Sequence, residues 1–189
     1  MSVAGRIWLV RHAPTGWTGR RWCGRSDPEL WDAGLAAAKR LAAELAVEVA
    51  DEPAIRQATG IVILSSPSRR AIQTAEAIAR ALAAPIHVEP DLAEVDFGAA
   101  DGLTWDELVA AQPSLAEAIL AGSDPDWPGG ETRVQVAARA RTMADRLLDR
   151  PRSGDVIVVS HGGLLRALAP ILGTPLPVGV EPATALRAG

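Results

Sequence analysis

Short apolar runs alternate along this chain with longer segments whose apolar residues recur at helical spacing. Arg6–Val10, Ile61–Leu64 and Val156–Val159 have the length and composition of buried strands, and Ile86–Val88, after Pro85, reads as a shorter extended run. Between them, Leu35, Ala38, Leu41, Leu45 and Val49 predict a helix closed by Asp51-Glu52-Pro53. Ile72, Ala75, Ile78 with Ala79, and Leu82 predict a second, and Val136, Ala140, Met143 and Leu147 a long one begun by Thr132. Thr104-Trp105-Asp106-Glu107 and Ser114-Leu115-Ala116-Glu117 both have the spacing of capping boxes and predict two short helices. A last helix is expected from near Gly163, and Glu181–Gly189 is a candidate edge strand. The Gly-, Pro- and Asp-rich stretch from Gly122 to Gly130 is long enough to form a rim or lid. Strands alternating with helices predict an α/β fold, a three-layer α/β/α sandwich with a mostly parallel central sheet.

Composition narrows this picture. The 189 residues, 48% of them hydrophobic, suffice for one domain with a sizeable core, and no repeat or interdomain linker interrupts them. No apolar stretch nears the roughly 18–20 residues that span a bilayer. The opening MSVAGRIWLVRHAP has no long apolar segment ending in a small-residue cleavage site, so no signal peptide is expected. The single cysteine, Cys23, cannot form an internal disulfide, which fits a reducing cytoplasm, and a lone cysteine is more often inert than nucleophilic. A net charge of −4 argues against non-specific nucleic-acid binding and makes local arginine clusters more informative. Lys39 is the only lysine, so the arginine bias by itself says little.

The candidate chemistry sits at strand ends. The chain has three histidines, and two of them, His12 and His161, directly follow apolar runs. In an open α/β sheet, ligands bind outside the carboxyl ends of the strands, so residues from several strand ends converge on one crevice. Imidazole is a competent nucleophile at neutral pH, and the guanidinium of Arg11 beside His12 can hold two oxygens of a phosphate. The second run leads through Ser65-Ser66-Pro67-Ser68 to Arg69 and Arg70 at a helix start, where free N–H groups already favour anions. Ser160-His161-Gly162-Gly163 adds glycines that admit a close approach to the backbone.

Taken together, these segments resemble the histidine phosphatase superfamily, which includes the cofactor-dependent phosphoglycerate mutases. Leu9-Val10-Arg11-His12-Ala13-Pro14-Thr15 resembles its RHG signature, and Ser65 to Ala75 its SSP-x-x-RA-x-QTA stretch. Leu92 to Gly98 with Asp101-Gly102, Pro128 to Thr132, and Val159 to Gly163 resemble its L-x-E-x-x-x-G…EG, PGGES and VSHGG segments, in family order over nearly the whole chain. The resemblance implies that His12 is the nucleophile that becomes phosphohistidine, that Arg11, Arg70 and His161 bind the phosphoryl group, and that Glu94 is the acid and then the base. Arg70 rather than Arg69 fits, because it directly precedes the Ala-x-Gln-Thr-Ala run. His87 matches nothing.

There are departures. Ala13 and Pro14 stand where the family has Gly and Glu, Thr18 falls where an asparagine is common, and Asp101 replaces a glutamate; no member of the core set is lost. Trp22-Cys23-Gly24-Arg25-Ser26-Asp27-Pro28-Glu29-Leu30 resembles the family's GR-x-D-x-x-L loop and, more loosely, that of α-ribazole phosphatases. Thr15, Thr18, Gly24, Arg25 and Gly162 are accordingly expected to join Arg11 and Arg70 in substrate binding. Arg20, Arg21 and Arg25 either touch distal groups of a substrate or form a solvated basic loop. Of the tryptophans at 17, 22, 31, 105 and 127, several are placed to line a pocket mouth, though packing is the ordinary role of each.

The expectation is a metal-independent phosphomonoesterase without cofactor, acting on a small phosphoester in the cytoplasm, with no nucleic-acid or membrane partner. A phosphoglycerate mutase is the alternative, and the mutases are longer; a phospho-ligand-binding module is the third. Rim loops at Thr15–Trp31 and Ala99–Trp127 would set specificity, with a sugar phosphate, nucleoside phosphate, phosphoglycerate or phosphoamino acid all open.

Overall fold

A computed structural model describes residues 5–50, 60–123, 125–150, 154–174 and 181–188. Four parallel strands and one antiparallel edge strand form a sheet in the order β3-β2-β4-β1-β5. β1 spans Ile7–Arg11, β2 Val62–Ser65, β3 Ile86–Val88, β4 Val156–Ser160 and β5 Ala185–Ala188. Six α-helices accompany them among the described residues: α1 (Asp32–Ala50), α2 (Arg69–Leu82), α3 (Trp105–Ala111), α4 (Pro113–Leu120), α5 (Arg133–Leu148) and α6 (Gly162–Leu168). The edge strand expected from the last residues is β5, paired with β1 through Val10 and Ala185 at one end and Ile7 and Ala188 at the other.

Alternate side chains of the inner strands face opposite layers, as the two-residue strand period requires. Trp8, Val10, Ile63, Ile157 and Val159 pack against α1 and α2. Leu9, Leu64, Val156 and Val158 pack against α5 and α6. All five residues of β4 are buried, which explains the unbroken apolar run that marks it in the sequence. Truncating a core side chain such as Ile78 or Leu165 to alanine would cost about 2–5 kcal/mol.

The fold positions the site through one topological fact. β1 and β4 are neighbours, yet the helix after β1 lies on one face of the sheet and the helix after β4 on the other. Adjacent strands whose connections diverge in this way open a crevice at their carboxyl ends. His12 and His161 are the first residues beyond those two ends.

Three local expectations change. Leu35, placed on the inner face of α1, is exposed, and Gly34 is buried in its stead. The Pro14 carbonyl lies where a Cβ on Gly34 would stand, so the helix meets the chain after β1 through bare backbone. On α2 the buried face is Ala71, Thr74, Ala75 and Ile78, with Ile72 half-buried. Ser114 caps nothing: Pro113 already occupies the first turn of α4, with its fixed φ suited to that position, and the residue at the cap is Gln112. The boxes at Thr104–Glu107 and Thr132–Gln135 are closed in both directions. Asp51-Glu52-Pro53 lies outside the described residues.

Candidate active site

His12 leaves β1 by a backbone hydrogen bond from its N–H to the Ser160 carbonyl at 2.9 Å, so the two strand ends stay joined beyond the sheet. The rings of His12 and His161 lie edge to face with centroids 5.0 Å apart. His12 Nδ1 stands 2.7 Å from the Ala13 carbonyl oxygen. A carbonyl can only accept, so Nδ1 carries the proton and Nε2 the lone pair. Burial, with the charges of Arg70 and Arg11, pushes the His12 pKa down to about 3, the Ala13 hydrogen bond working the other way. The imidazole is therefore neutral at physiological pH, in the tautomer a nucleophile needs.

His161 is fully buried, and burial reinforced by His12, Arg70 and Arg11 holds it well below the ordinary imidazole range. Its Nε2 lies 2.7 Å from the Ser66 hydroxyl and 3.3 Å from that of Ser68. Its Nδ1 is buried and has no hydrogen-bond partner. The serines of the Ser65–Ser68 turn thus orient His161 from behind.

Arg70 reaches in from α2 and is 1% exposed. Its fork is not open: Nη1 donates to the Ser26 carbonyl at 2.7 Å, and Nη2 to those of Gly24 and Cys23 at 3.0 and 3.2 Å. Its Nε is buried without a partner. Asp101 grips the same loop from the other side, accepting from Gly24 N–H, Ser26 N–H and the Ser26 hydroxyl at 2.7–2.9 Å. Arg69 is exposed and ion-paired to Glu29, so of the two arginines only Arg70 enters the site.

Glu94 arrives from the segment after β3. One carboxylate oxygen accepts from Val95 N–H and Leu164 N–H at 2.9 and 3.1 Å, the other from Gly163 N–H at 3.2 Å. Gly163 is needed for this approach, since a Cβ there would lie 2.5 Å from Oε1 of Glu94. A Cβ on Gly162 would stand 3.4 Å from Cζ of the Arg11 guanidinium, in ordinary contact. Burial lowers the Arg11 pKa, opposed by the carboxylates of Glu94 and Glu181.

Beside these groups lies a cavity of about 280 Å³, and the buried Arg70 and His161 stand behind its lining. Arg11, His12, Thr15, Thr18, Glu94 and Gly162 line it, with Trp22, Phe97 and Arg166 at its sides. Thr15 and Thr18 brace each other, Thr15 N–H donating to the Thr18 hydroxyl at 2.9 Å. Gly24 is held behind the wall by Arg70 and Asp101. Arg25 turns to Asp96 at 3.5 Å and is not part of the cavity lining. Arg21 lines the cavity while binding Glu107 at 3.1 Å, and Arg20 is exposed. Cys23 lines it too, but burial pushes its thiol up to about 11, which keeps it protonated. His87 is exposed on β3.

Sequence reasoning missed Arg166, which lies three residues after Gly163 on α6 and so shares its face. It also gave no role to Phe97, which packs with Trp22 and Trp127 in a cluster of three rings at 4.6–5.4 Å. Trp31 and Trp105 stay partly in solvent. Trp127 anchors the Gly122–Gly130 stretch, and Gly130 N–H and Glu131 N–H bond to the Trp127 and Asp96 carbonyls at 2.9 Å. The Trp127–Gly130 end of that stretch is thus a fastened rim.

Among the described residues no group of three or more His, Cys, Asp or Glu side chains could hold a metal ion, and no helix is long and apolar enough to cross a membrane. The chain is 36% identical over 157 residues to a bifunctional protein of Mycobacterium tuberculosis, covering 82% of this chain and 41% of that one; it thus spans about two-fifths of that relative. It is 34% identical over 171 residues to the metal-independent phosphoserine phosphatase of Arabidopsis thaliana, covering 88% and 68%. It superposes on a mycobacterial glucosyl-3-phosphoglycerate phosphatase complexed with VO3 with a TM-score of 0.76 and 32% identity, over 97% of this chain and 90% of that one. Residues 7–179 match branch 1 of the histidine phosphatase superfamily, and the chain belongs to that family.

Proposed function

We propose that this protein is a metal-independent phosphomonoesterase that works through a phosphohistidine at His12. The observation that carries the reading is the His12 tautomer: Nδ1–H donates to Ala13 and leaves the Nε2 lone pair to attack. In the first step Nε2 forms a bond to phosphorus while the bond from phosphorus to the ester oxygen breaks. Glu94, in its protonated form, gives its proton to the departing oxygen. In the second step Glu94, now a carboxylate, takes a proton from water as that water attacks phosphorus. The P–N bond breaks, and inorganic phosphate and neutral His12 are regenerated.

The charge on the phosphoryl oxygens would be met by Arg11 and by two buried donors with nothing else to bond, Arg70 Nε and His161 Nδ1. Buried polar atoms of this kind are rare unless something completes them, and a phosphoryl oxygen supplies what both lack. For His161 this requires the tautomer with its proton on Nδ1, Nε2 accepting from Ser66. The substrate is a small phosphoester, as the named phosphatase relatives suggest. Cysteine usage supports a reducing, cytoplasmic setting.

The test is phosphate release from a panel of phosphomonoesters in EDTA, wild type against His12→Ala. Release that the substitution abolishes, with an acid-labile phosphoenzyme trapped by rapid quenching, is the expected result. Strict dependence on added Mg²⁺ or Zn²⁺ would sink the metal-independent mechanism. Turnover only with a bisphosphate primer would make the protein a mutase.

A further inference from the structure

A second cavity, of about 520 Å³, adjoins the first and shares Phe97, Gly163 and Arg166 with it. We infer that this chamber receives the leaving-group half of the substrate, and that Arg166 selects leaving groups that are themselves anionic. The inference rests on the phosphatase reading above and deepens it.

Its lining is mixed: Val95, Phe97, Trp127 and Val136 are apolar, and Arg133 and Arg166 bring two guanidinium groups. Arg133 is committed in part to Asp126, at 3.9 Å. Arg166 makes no hydrogen bond or ion pair with any described residue, although it lies near enough to Arg11 for their charges to repel. A cation held beside another cation, with no ion pair of its own among the described residues, raises the local potential and favours a negative ligand.

That ligand is not the transferred phosphoryl group. Arg11, Arg70 Nε and His161 Nδ1 are the donors assigned to that group above. Arg166 stands three residues, just under a full turn, beyond Gly163, is exposed, and faces both chambers. An ester whose phosphoryl group sits at His12 must pass its remaining atoms by Glu94, which protonates the ester oxygen. Gly163 lies against Glu94 and borders the second chamber, so the path from the ester oxygen leads under Arg166. A carboxylate or second phosphate on the leaving group would meet the guanidinium there, while a carbon skeleton lies along Phe97 and Trp127. Esters of hydroxy acids fit this description, and esters of uncharged alcohols leave Arg166 unmatched.

The experiment uses two non-hydrolysable phosphonates of equal size, the CH2 analogues of 3-phosphoglycerate and of glycerol 3-phosphate. They differ in a carboxylate against a CH2OH group. Calorimetric titration of wild type, Arg166→Gln and Arg166→Lys reads the affinity ratio between the two. We expect wild type to favour the carboxylate by about tenfold, the size of one charge-assisted hydrogen bond. Arg166→Gln should bring the ratio near one, and Arg166→Lys should keep part of it. A ratio near one in wild type overturns the inference. So does an equal loss for both ligands in Arg166→Gln, which would put Arg166 on the phosphoryl group. Neither readout needs turnover, so failure here is distinct from failure of the phosphatase reading, which shows as no His12-dependent phosphate release.

Discussion

Arg139 holds both carboxylate oxygens of Glu131, from Nε to Oε1 at 3.0 Å and from Nη2 to Oε2 at 2.8 Å. The pair is nearly buried, and it serves the strip of chain that carries Glu94. Arg139 Nη1 donates to the Asp91 and Ala93 carbonyls at 2.9 and 2.7 Å, and Glu131 accepts from Asp96 N–H at 2.9 Å. Burial works to raise the Glu131 pKa, but Arg139 and the Asp96 N–H outweigh it and hold the carboxyl below its usual range. The pair is thus a fixed-charge clasp at neutral pH. Arg139→Lys keeps the charge and loses the fork. It should slow hydrolysis of alkyl phosphates about tenfold or more, through a displaced Glu94. Nitrophenyl phosphate, whose leaving group needs little protonation, should lose much less. Steady-state kinetics on the two ester classes decides it, and equal losses on both would detach the clasp from acid catalysis.

Gly163→Ala makes the complementary case from the other side of Glu94. The new methyl would stand 2.5 Å from Oε1 and 2.8 Å from a Val95 methyl, so the carboxylate must shift. Alanine is otherwise the better helix former by about 1 kcal/mol, which offsets part of the clash in the folded state. The expected outcome is a small change in melting temperature with a leaving-group-selective loss of kcat, large on alkyl phosphates and small on nitrophenyl phosphate, which is also the loss expected of Glu94→Gln. A variant that kept full activity on alkyl phosphates would show that Glu94 does not need its present position.

Much of this was legible from residues in order, and the remainder was not for identifiable reasons. The strands were readable because β1, β2 and β4 are apolar on both faces, and His12 and His161 stood out by following two of them. Which way those strands neighbour one another, and hence why the two rings lie 5.0 Å apart, depends on pairings between residues far apart in sequence. Arg70 was marked by its place at the head of α2. Nothing local foretold that its fork closes on the Cys23–Ser26 carbonyls. Arg139 and Arg166 were hidden for the same reason: each is one arginine among several on a helix, and only the packing of that helix gives it a task.

Arg70→Lys tests that division of labour. A lysine cannot replace three bonds to the Ser26, Gly24 and Cys23 carbonyls and also supply a donor at Nε. kcat/KM should fall about a hundredfold, from a lost phosphoryl contact combined with a loosened loop. Amide hydrogen exchange should quicken in residues 22–26, although Asp101 still holds Gly24 and Ser26. Unchanged exchange beside a large kinetic loss would confine the role of Arg70 to the phosphoryl group.

The buried histidines make stability depend on pH. His12 is neutral in the fold down to about pH 3 but titrates near 6.5 once unfolded, and His161 is shifted in the same direction. Between those values the unfolded chain binds more protons, so stability is full above about pH 6.5 and falls as the pH drops. His12 adds a slope of about 1.4 kcal/mol per pH unit, or about 2 kcal/mol at pH 5, and His161 adds to it in the same direction. Denaturant melts of wild type and His12→Asn at pH 7 and 5 isolate one ring from the carboxylates. The variant should lose about 2 kcal/mol less on acidification, and identical losses would mean that His12 is charged in the folded protein.

A last substitution separates the site from the frame that holds it. Asp155, just before β4, is fully buried, 2.8 Å from Arg6 Nη2 and 3.0 Å from Nε, and it also accepts from Arg6 N–H at 2.9 Å and Trp8 Nε1–H at 3.2 Å. It fastens β1 to β4 at the ends opposite His12 and His161. Asp155→Ala would leave the Arg6 cation buried without its carboxylate, a defect worth about 3–5 kcal/mol. Arg6 would keep only the α1 carbonyls of Glu48 and Val49, at 3.4 and 3.3 Å. The melting temperature should fall by roughly 6–20 °C. At temperatures where the variant is still folded, kcat should stay within about twofold of wild type, because the register from Ile7 with Val156 to Arg11 with Ser160 is also fixed by the strand hydrogen bonds themselves. A large loss of kcat in the folded variant would mean that the clamp at one end of the strands sets the geometry at the other.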